Sequence, residues 1–191
     1  MSDDFMNHAV MLDPAIGSLL VGCFVLLFVS AASHKLRDLK QFAEVFAGYG
    51  IAPAVNRWRL SWLVPIVEIA VAVGLLPPVS RAPAAAAGAA LLLSYAIAIT
   101  INLRAGRNAI ACGCGGLDQR RPIAAWMVWR NLLLALLLGL AMLPWNARDL
   151  EWADGATLGF GLAAIALLYS CAERLLGELG RGRGAGIRGT P

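Results

Sequence analysis

The segment APAAAAGAALLLSYAIAITIN, residues 82–102, is 21 residues long and contains no charged side chain. A membrane-spanning α-helix needs about 20 predominantly apolar residues, whereas a β-strand in a globular protein is usually no longer than about 10 residues. In hydrocarbon, only helices and closed barrels satisfy every backbone hydrogen bond. The segment therefore predicts a transmembrane helix.

The rest of the chain has the same character. Of its 191 residues, 59% are hydrophobic and 15% are charged, whereas about a quarter of an ordinary soluble domain is charged. Four further apolar segments approach the length of a membrane span: 14–33, 60–78, 123–143 and 155–172. We therefore predict an all-α, polytopic membrane bundle of about five transmembrane helices. One integral-membrane domain is expected over 1–176, followed by a Gly- and Arg-rich disordered tail over 177–191.

The basic residues predict the orientation of the chain. Thirteen of the 16 Lys and Arg residues fall in 34–59, 103–122 and 173–191, which five spans would place on one side of the membrane. Only Arg81 and Arg148 fall on the other side, and Arg130 lies within the fourth span. Because positively charged loops stay in the cytoplasm, we expect the N-terminus outside and the C-terminus inside. Orientation and contact with anionic lipid account for the net charge of +4, so no nucleic acid partner is expected.

Residues 33–53 predict an amphipathic helix after the first span. Apolar side chains recur there at steps of three and four, the spacing of one helix face: Leu36, Leu39, Phe42, Val45, Phe46 and Tyr49. Such a helix is expected to lie in the inner interface. It could clamp the bundle, or it could form a lid or a surface on which a partner docks.

Two charged residues fall inside predicted spans. Glu68 and Arg130 lie at similar depth, roughly 10–12 Å from the inner ends of their helices at 1.5 Å per residue. Because an ionisable group in a bilayer usually has a partner, we predict that they pair, with Asn131 or Asn102 nearby. The pair could fix the order of the helices, or it could relay protons or tune a thiol. Arg130 could instead reach the inner surface and leave Glu68 protonated.

Cys112 and Cys114 are separated by one glycine in a loop flanked by arginines. Positive charge favours the reactive thiolate form, and a disulfide between such close cysteines would be strained and easily reduced. These features suit a catalytic thiol pair. A metal site is a second interpretation, although the spacing is tight and few other ligands are near. Two inert, reduced thiols are a third. Packing is the default role for Cys23 and Cys171, although Cys171 could resolve the loop pair.

Four segments carry a resemblance to a known family: SHKLRDLKQFAEVFAGYGIAP (33–53), VPIVEIAVAVGLL (64–76), INLRAGRNAIACGCGG (101–116) and WRNLLLALLL (129–138). They resemble the methylamine utilisation protein MauE family, which belongs with the DoxX-like, redox-associated membrane proteins. The resemblance covers most of 15–140, and the Asn-Leu-Arg…Cys-Gly-Cys-Gly-Gly run is its most specific part. Gly115 departs from it, because the family is expected to have an aromatic residue there.

The resemblance implies a multi-pass protein of the bacterial inner membrane, with a four-helix DoxX-like core plus one helix. It implies a role in processing, export or maturation of the disulfide-rich small subunit of methylamine dehydrogenase, beside a thioredoxin-like partner. Carried over by position, the cysteine pair is Cys112 and Cys114. The recurrent polar positions are Lys35, Glu68, Asn102, Arg107 and Arg130. No cofactor is implied, although a bound quinone or metal stays open.

The function expected first is therefore exchange of electrons or disulfides with a thioredoxin-like protein through Cys112 and Cys114. Arg107 would favour the thiolate. The alternative is a non-enzymatic assembly or scaffold factor whose cysteines are incidental, and a small-molecule carrier is third. A maturation step outside the membrane would require the thiols to lie outside, whereas the distribution of basic residues predicts that they lie on the cytoplasmic side. The route of the electrons stays open at this point.

Overall fold

Six α-helices and no β-strand make up the part of the chain that the structure, a computed structural model, describes. The described residues are 11–50, 57–107, 123–146, 148–149 and 151–186. The helices are α1 (Pro14–Arg37), α2 (Leu39–Gly48), α3 (Arg57–Gly74), α4 (Pro78–Arg104), α5 (Ala125–Leu140) and α6 (Trp152–Gly186). The prediction of an all-α membrane protein is confirmed.

Within the described ranges, three helices are long and apolar enough to cross a membrane: α1, α4 and the Trp152–Ala172 part of α6. Two shorter apolar helices, Ser61–Gly74 and Ala125–Leu140, lie where the second and fourth spans were predicted. Each of the five apolar segments of the sequence therefore forms a helix. The last helix continues to Gly186, so it includes residues 177–186 of the segment expected to be a disordered tail, whereas 187–191 lie outside the described residues.

A single aspartate separates α1 from α2. Asp38 ends α1 and begins α2, and its side chain accepts a hydrogen bond of 2.9 Å from the backbone N–H of Gln41. Such a cap satisfies a backbone donor that the first turn of a helix leaves without a partner. The predicted amphipathic helix is present, with Phe42 buried and Lys40 and Glu44 exposed. It packs against α1 and α3, as a helix that clamps the bundle would.

Four helices form a ring around one apolar core. Contacts run from α1 to α3, from α3 to α4, from α4 to α5 and from α5 back to α1. Phe28, Leu75 and Leu138 are fully buried at the centre. Gly88 of α4 allows the close approach, since a Cβ there would lie 2.7–3.1 Å from side chains of α1, α3 and α5. The fifth apolar helix, α6, packs outside this ring against α1.

The ring has two distinct ends. At the first, which we call the Trp145 end, the start of α1 meets the segment after α5, because Leu12 N–H donates to the Pro144 carbonyl at 2.8 Å. The guanidinium of Arg81, from the start of α4, stacks 3.7 Å from the Trp145 ring. The opposite end, which we call the Asn102 end, holds the end of α1, all of α2 and the end of α4. Among the described residues, 38–50 and 103–107 thus lie at the end of the ring opposite to 11–13 and 144–146.

Candidate functional site

A buried ion pair joins three helices inside the ring. Lys35 of α1 approaches Glu68 of α3, with 2.6 Å between Nζ and Oε1, and only 3% and 1% of the two side chains are exposed. The hydroxyl of Tyr95, on α4, donates a 2.8 Å hydrogen bond to the same Oε1. We call these three residues the Glu68 centre. Charges removed from water in this way are costly unless each meets a partner of opposite charge.

Aromatic rings complete the surroundings of the lysine. The Lys35 ammonium lies 5.6 Å from the centroid of the Phe42 ring and 5.5 Å from that of Tyr95. A cation within about 6 Å of a ring face is attracted by the electrons of the ring. Because Phe42 belongs to α2, the lysine also holds the amphipathic helix against the bundle. Lys35 therefore links the corner between α1 and α2 to α3 and α4.

The predicted pairing of Glu68 with Arg130 is wrong. Among the described residues, both hydrogen bonds to Glu68 go to Oε1, and the buried Oε2 has none. Arg130 instead lies beside Trp126, with its guanidinium carbon 5.4 Å from the ring centroid. The physical reason is the order of the helices in the ring. α3 packs against α1, α2 and α4, whereas α5 packs mainly against α4, so similar depth did not bring Glu68 and Arg130 together.

Two asparagines are buried in the ring, but neither bonds to Glu68. Asn102 is fully buried, and its Nδ2 donates to the backbone carbonyls of Ala98, at 2.9 Å, and of Tyr49, at 3.3 Å. The second bond ties the end of α4 to the residue that closes α2. Asn131 donates to the Met127 carbonyl within its own helix, at 2.8 Å. Asn102 is therefore a contact between helices, and Asn131 is a local one.

Arg107 follows the end of α4 and is the last described residue before the segment that contains Cys112 and Cys114. Its backbone N–H donates to the Asn102 carbonyl at 3.0 Å. Its guanidinium lies against Gly50, where a Cβ atom would be 2.9 Å from Nη1. Gly50 has a φ of +65°, a left-handed conformation that glycine adopts without steric cost. Residues that follow α2 and α4 thus meet at the Asn102 end.

The predicted catalytic residues themselves, Cys112 and Cys114, lie in 108–122, outside the described residues. Their site stays a prediction. The two described cysteines are not in a disulfide: Cys23 is half-buried in α1, and Cys171 is exposed on α6. Among the described residues, no three His, Cys, Asp or Glu side chains are grouped so that they could hold a metal ion.

An exposed ion cluster marks the Trp145 end. Arg148 donates to Asp13, at 3.2 Å, and to Asp154, at 2.9 Å. The hydrogen bond from Arg148 holds the pKa of the Asp13 carboxyl below its ordinary value. The same two carboxylates raise the pKa of Arg148, with Asp154 the larger cause. This cluster fastens the start of α1 to the segment before α6. Its contact to Asp13 is not evident in the sequence, because Asp13 and Arg148 are 135 residues apart.

Tyr95 is the member of the Glu68 centre that was not predicted from the sequence. It lies within the apolar segment 82–102, seven residues before Asn102, which is two helical turns. That spacing puts both side chains on one face of α4, and both are at least partly buried. Two polar residues that are seven positions apart in an otherwise apolar segment indicate that this face of the helix points into the bundle.

Comparisons with known proteins agree on one family. The sequence model described as "Methylamine utilisation protein MauE" matches residues 13–144. A methylamine utilization protein MauE of Paracoccus denitrificans is 40% identical over 155 residues, which cover 81% of this chain and 83% of that protein. The protein of the same name from Methylorubrum extorquens is 33% identical over 93% of this chain and 95% of its own length. The protein of the same name from Paracoccus versutus is 37% identical over 88% of this chain and 91% of its own length.

No solved structure matches this chain. The match to the family model begins one residue before α1 and continues beyond α5. It therefore contains the whole ring, the Glu68 centre and the segment with Cys112 and Cys114. On this match and on the identity to relatives over most of its length, the chain belongs to the methylamine utilisation protein MauE family.

Proposed function

We propose that this protein is a membrane-bound accessory protein of methylamine utilisation and that it exchanges disulfides through Cys112 and Cys114. The first part follows the name that its relatives carry. The second part is supported by one observation above all. The two ends of the cysteine-bearing connection are fixed at the same end of the bundle, by Arg107 on one side and by Ile123 on the other.

The anchors of the connection are specific. Arg107 is bonded to Asn102 and rests on Gly50. Ile123 is buried in a cluster with Tyr49, Ile99 and Met127. Cys112 is five residues after Arg107, and five residues of extended chain span at most about 18 Å. The 27 residues of α4, which run from one end of the bundle to the other, extend about 40 Å. Chain length alone therefore favours a thiol pair that serves the Asn102 end.

The exchange that we propose is balanced without a further reagent. The Cys112 and Cys114 thiols lose two protons and two electrons and form a disulfide, while the disulfide of a thioredoxin-like partner takes them up and becomes two thiols. The reverse reaction oxidises the partner. Arg107 is exposed at the base of the loop, and its positive charge would favour the thiolate that attacks. Lys35, Glu68 and Asn102 would hold the helices on which the loop stands.

The biological setting is part of the proposal. We place the protein in the bacterial inner membrane, with the N-terminus outside and the Asn102 end in the cytoplasm, because basic residues concentrate at that end. The small subunit of methylamine dehydrogenase is the client that fits the family. In that case the thioredoxin-like partner would exchange thiols with Cys112 and Cys114 on the cytoplasmic side, and a membrane-spanning dithiol carrier would pass the two electrons across the bilayer to the client's thioredoxin-like reductant.

A trapping experiment tests the thiol chemistry. A Cys114→Ser variant keeps the Cys112 thiol but cannot close the intramolecular disulfide, so a partner attacked by Cys112 stays attached through a mixed disulfide. We expect an adduct that is lost on reduction and is absent from the Cys112→Ser/Cys114→Ser variant. Cys23→Ser and Cys171→Ser are matched controls and should leave the adduct unchanged. Full growth on methylamine with the double variant would contradict the proposal.

A second candidate function is a scaffold that holds a partner through α2. The observation in its favour is that α2 is clamped to α1 and α3 and presents Lys40 and Glu44 outward. Exchanging these two charges, in a Lys40→Glu/Glu44→Lys variant, leaves the buried face of α2 untouched. If that variant abolishes growth on methylamine while loss of both loop cysteines does not, the scaffold function replaces thiol exchange.

A further inference from the structure

The exposed cations of the described residues are concentrated at one end of the bundle. Within the described ranges, five basic side chains are exposed at the Asn102 end, on the last turn of α1, on α2, at the start of α3 and at the end of α4: Arg37, Lys40, Arg59, Arg104 and Arg107. Two exposed carboxylates of the same ranges, Asp38 and Glu44, accompany them. The surface formed by the five cations, which we call the cationic rim, therefore carries an excess of positive charge.

The cations at the other end are already engaged. Arg148 is bonded to two aspartates, and Arg81 donates to the carbonyls of Leu75 and Leu76 and stacks on Trp145. By contrast, no member of the cationic rim forms an ion pair within the part of the chain that the structure describes. Intramolecular contacts thus explain the basic residues at the Trp145 end, whereas the rim has more cations than carboxylates among the described residues.

Apolar side chains stand beside the cations of the rim. Leu36 precedes Arg37 and is 39% exposed, and Trp62, one turn after Arg59, is 45% exposed. Ile101, one turn before Arg104, is 52% exposed. A nucleic acid or an acidic soluble protein would complement the positive charges but would not bury these apolar side chains. A phospholipid has both parts, since its acyl chains cover apolar groups and its phosphate meets a cation.

We infer that the cationic rim is a binding surface for anionic phospholipid headgroups, with Arg37, Lys40 and Arg104 as contacts to phosphate. Each cation near a membrane surface contributes about 1 kcal/mol of attraction to anionic lipid, which is about fivefold in affinity. The rim thereby selects the lipids around the end of the bundle where α2 lies. It does so independently of the thiol chemistry.

The test compares two lipids around the full-length protein in reconstituted bilayers. Spin-labelled phosphatidylglycerol and phosphatidylcholine report, by electron paramagnetic resonance, the fraction of each lipid that is immobilised by the protein. We expect phosphatidylglycerol to be favoured severalfold at low salt, and much less in high salt, which screens exposed charges. The Arg37→Gln/Lys40→Gln/Arg104→Gln variant should lose most of the preference, and its helical content by circular dichroism shows whether it is folded.

A matched control removes the same kind of charge from the other end. The Arg81→Gln/Arg148→Gln variant should keep the preference for phosphatidylglycerol. An Arg37→Lys/Arg104→Lys variant, which retains the charge, should keep it as well and guards against misfolding of the triple variant. Equal immobilisation of the two lipids by the unaltered protein would overturn the inference. So would an equal loss of preference in the Arg81→Gln/Arg148→Gln variant.

Discussion

Replacing either charge of the Glu68 centre should destabilise the protein far more than replacing both. Lys35→Met leaves a carboxylate without its cation, and Glu68→Gln leaves an ammonium without its carboxylate, each almost completely buried. Removing one partner of a buried pair costs about 3–5 kcal/mol, whereas replacing both by neutral groups of similar volume is often nearly neutral. The double variant Lys35→Met/Glu68→Gln should therefore lie closer to the unaltered protein than either single variant does.

The assay is a double-mutant cycle on the free energy of unfolding of the purified protein, titrated with sodium dodecyl sulfate from a mild detergent. We expect a coupling energy of about 3 kcal/mol or more between Lys35 and Glu68, because they share one hydrogen bond and one buried charge pair. Arg130 provides the matched control. A cycle with Arg130→Met and Glu68→Gln should give less than about 0.5 kcal/mol, because Glu68 pairs with Lys35 and Arg130 lies beside Trp126.

Two results would refute this reasoning. Additive effects of Lys35→Met and Glu68→Gln would mean that the pair is not formed in the membrane protein. A larger coupling of Glu68 to Arg130 than to Lys35 would restore the pairing expected from depth alone and would contradict the order of the helices. Tyr95→Phe offers an independent check, since losing a hydrogen bond to a charged acceptor should cost about 1.5–3 kcal/mol.

Three further outcomes follow from particular contacts. Gly88→Ala should destabilise the protein by about 1–3 kcal/mol through overpacking, whereas Gly139→Ala, where a Cβ meets nothing within 4 Å, should not, as the same unfolding assay would show. Gly50→Ala should cost about 1–2 kcal/mol because of its left-handed φ, and it should displace the Arg107 guanidinium. The Asp13–Arg148 contact lowers the pKa of Asp13 from 3.8, so its contribution to stability is complete above pH 3.8 and is lost as the pH falls through the lowered value. A Tm measured against pH should accordingly fall less steeply at acidic pH in Asp13→Asn than in the unaltered protein.

The helices could be predicted from the sequence because each of them depends on the residues of a single segment. A run such as 82–102 satisfies the length and apolarity that a bilayer demands, whatever its neighbours do. The amphipathic helix was equally local, since Phe42 and Tyr49 fall on one face by spacing alone. The residue at which α2 begins could also be understood from the aspartate that caps it.

The site was harder to predict because it depends on which helices are neighbours. Depth along a helix follows from counting residues, and it put Glu68 level with Arg130. The order of the helices does not follow from counting, and it brought Lys35 to Glu68 instead. Lys35 was counted with the loop after 14–33, although α1 continues to Arg37 and turns this lysine inward. The end of a hydrophobic run is thus a poor guide to the end of a membrane helix.

Labelling of the loop cysteines from each side of the membrane tests the central claim most directly. A Cys23→Ser/Cys171→Ser protein, which retains only Cys112 and Cys114, would be treated with a membrane-impermeant maleimide in spheroplasts and in inside-out vesicles, after mild reduction. We predict modification in inside-out vesicles that is blocked by prior oxidation of the pair. Modification in spheroplasts alone, or none in either preparation, would contradict a reactive thiol pair at the cytoplasmic, Asn102 end of the bundle.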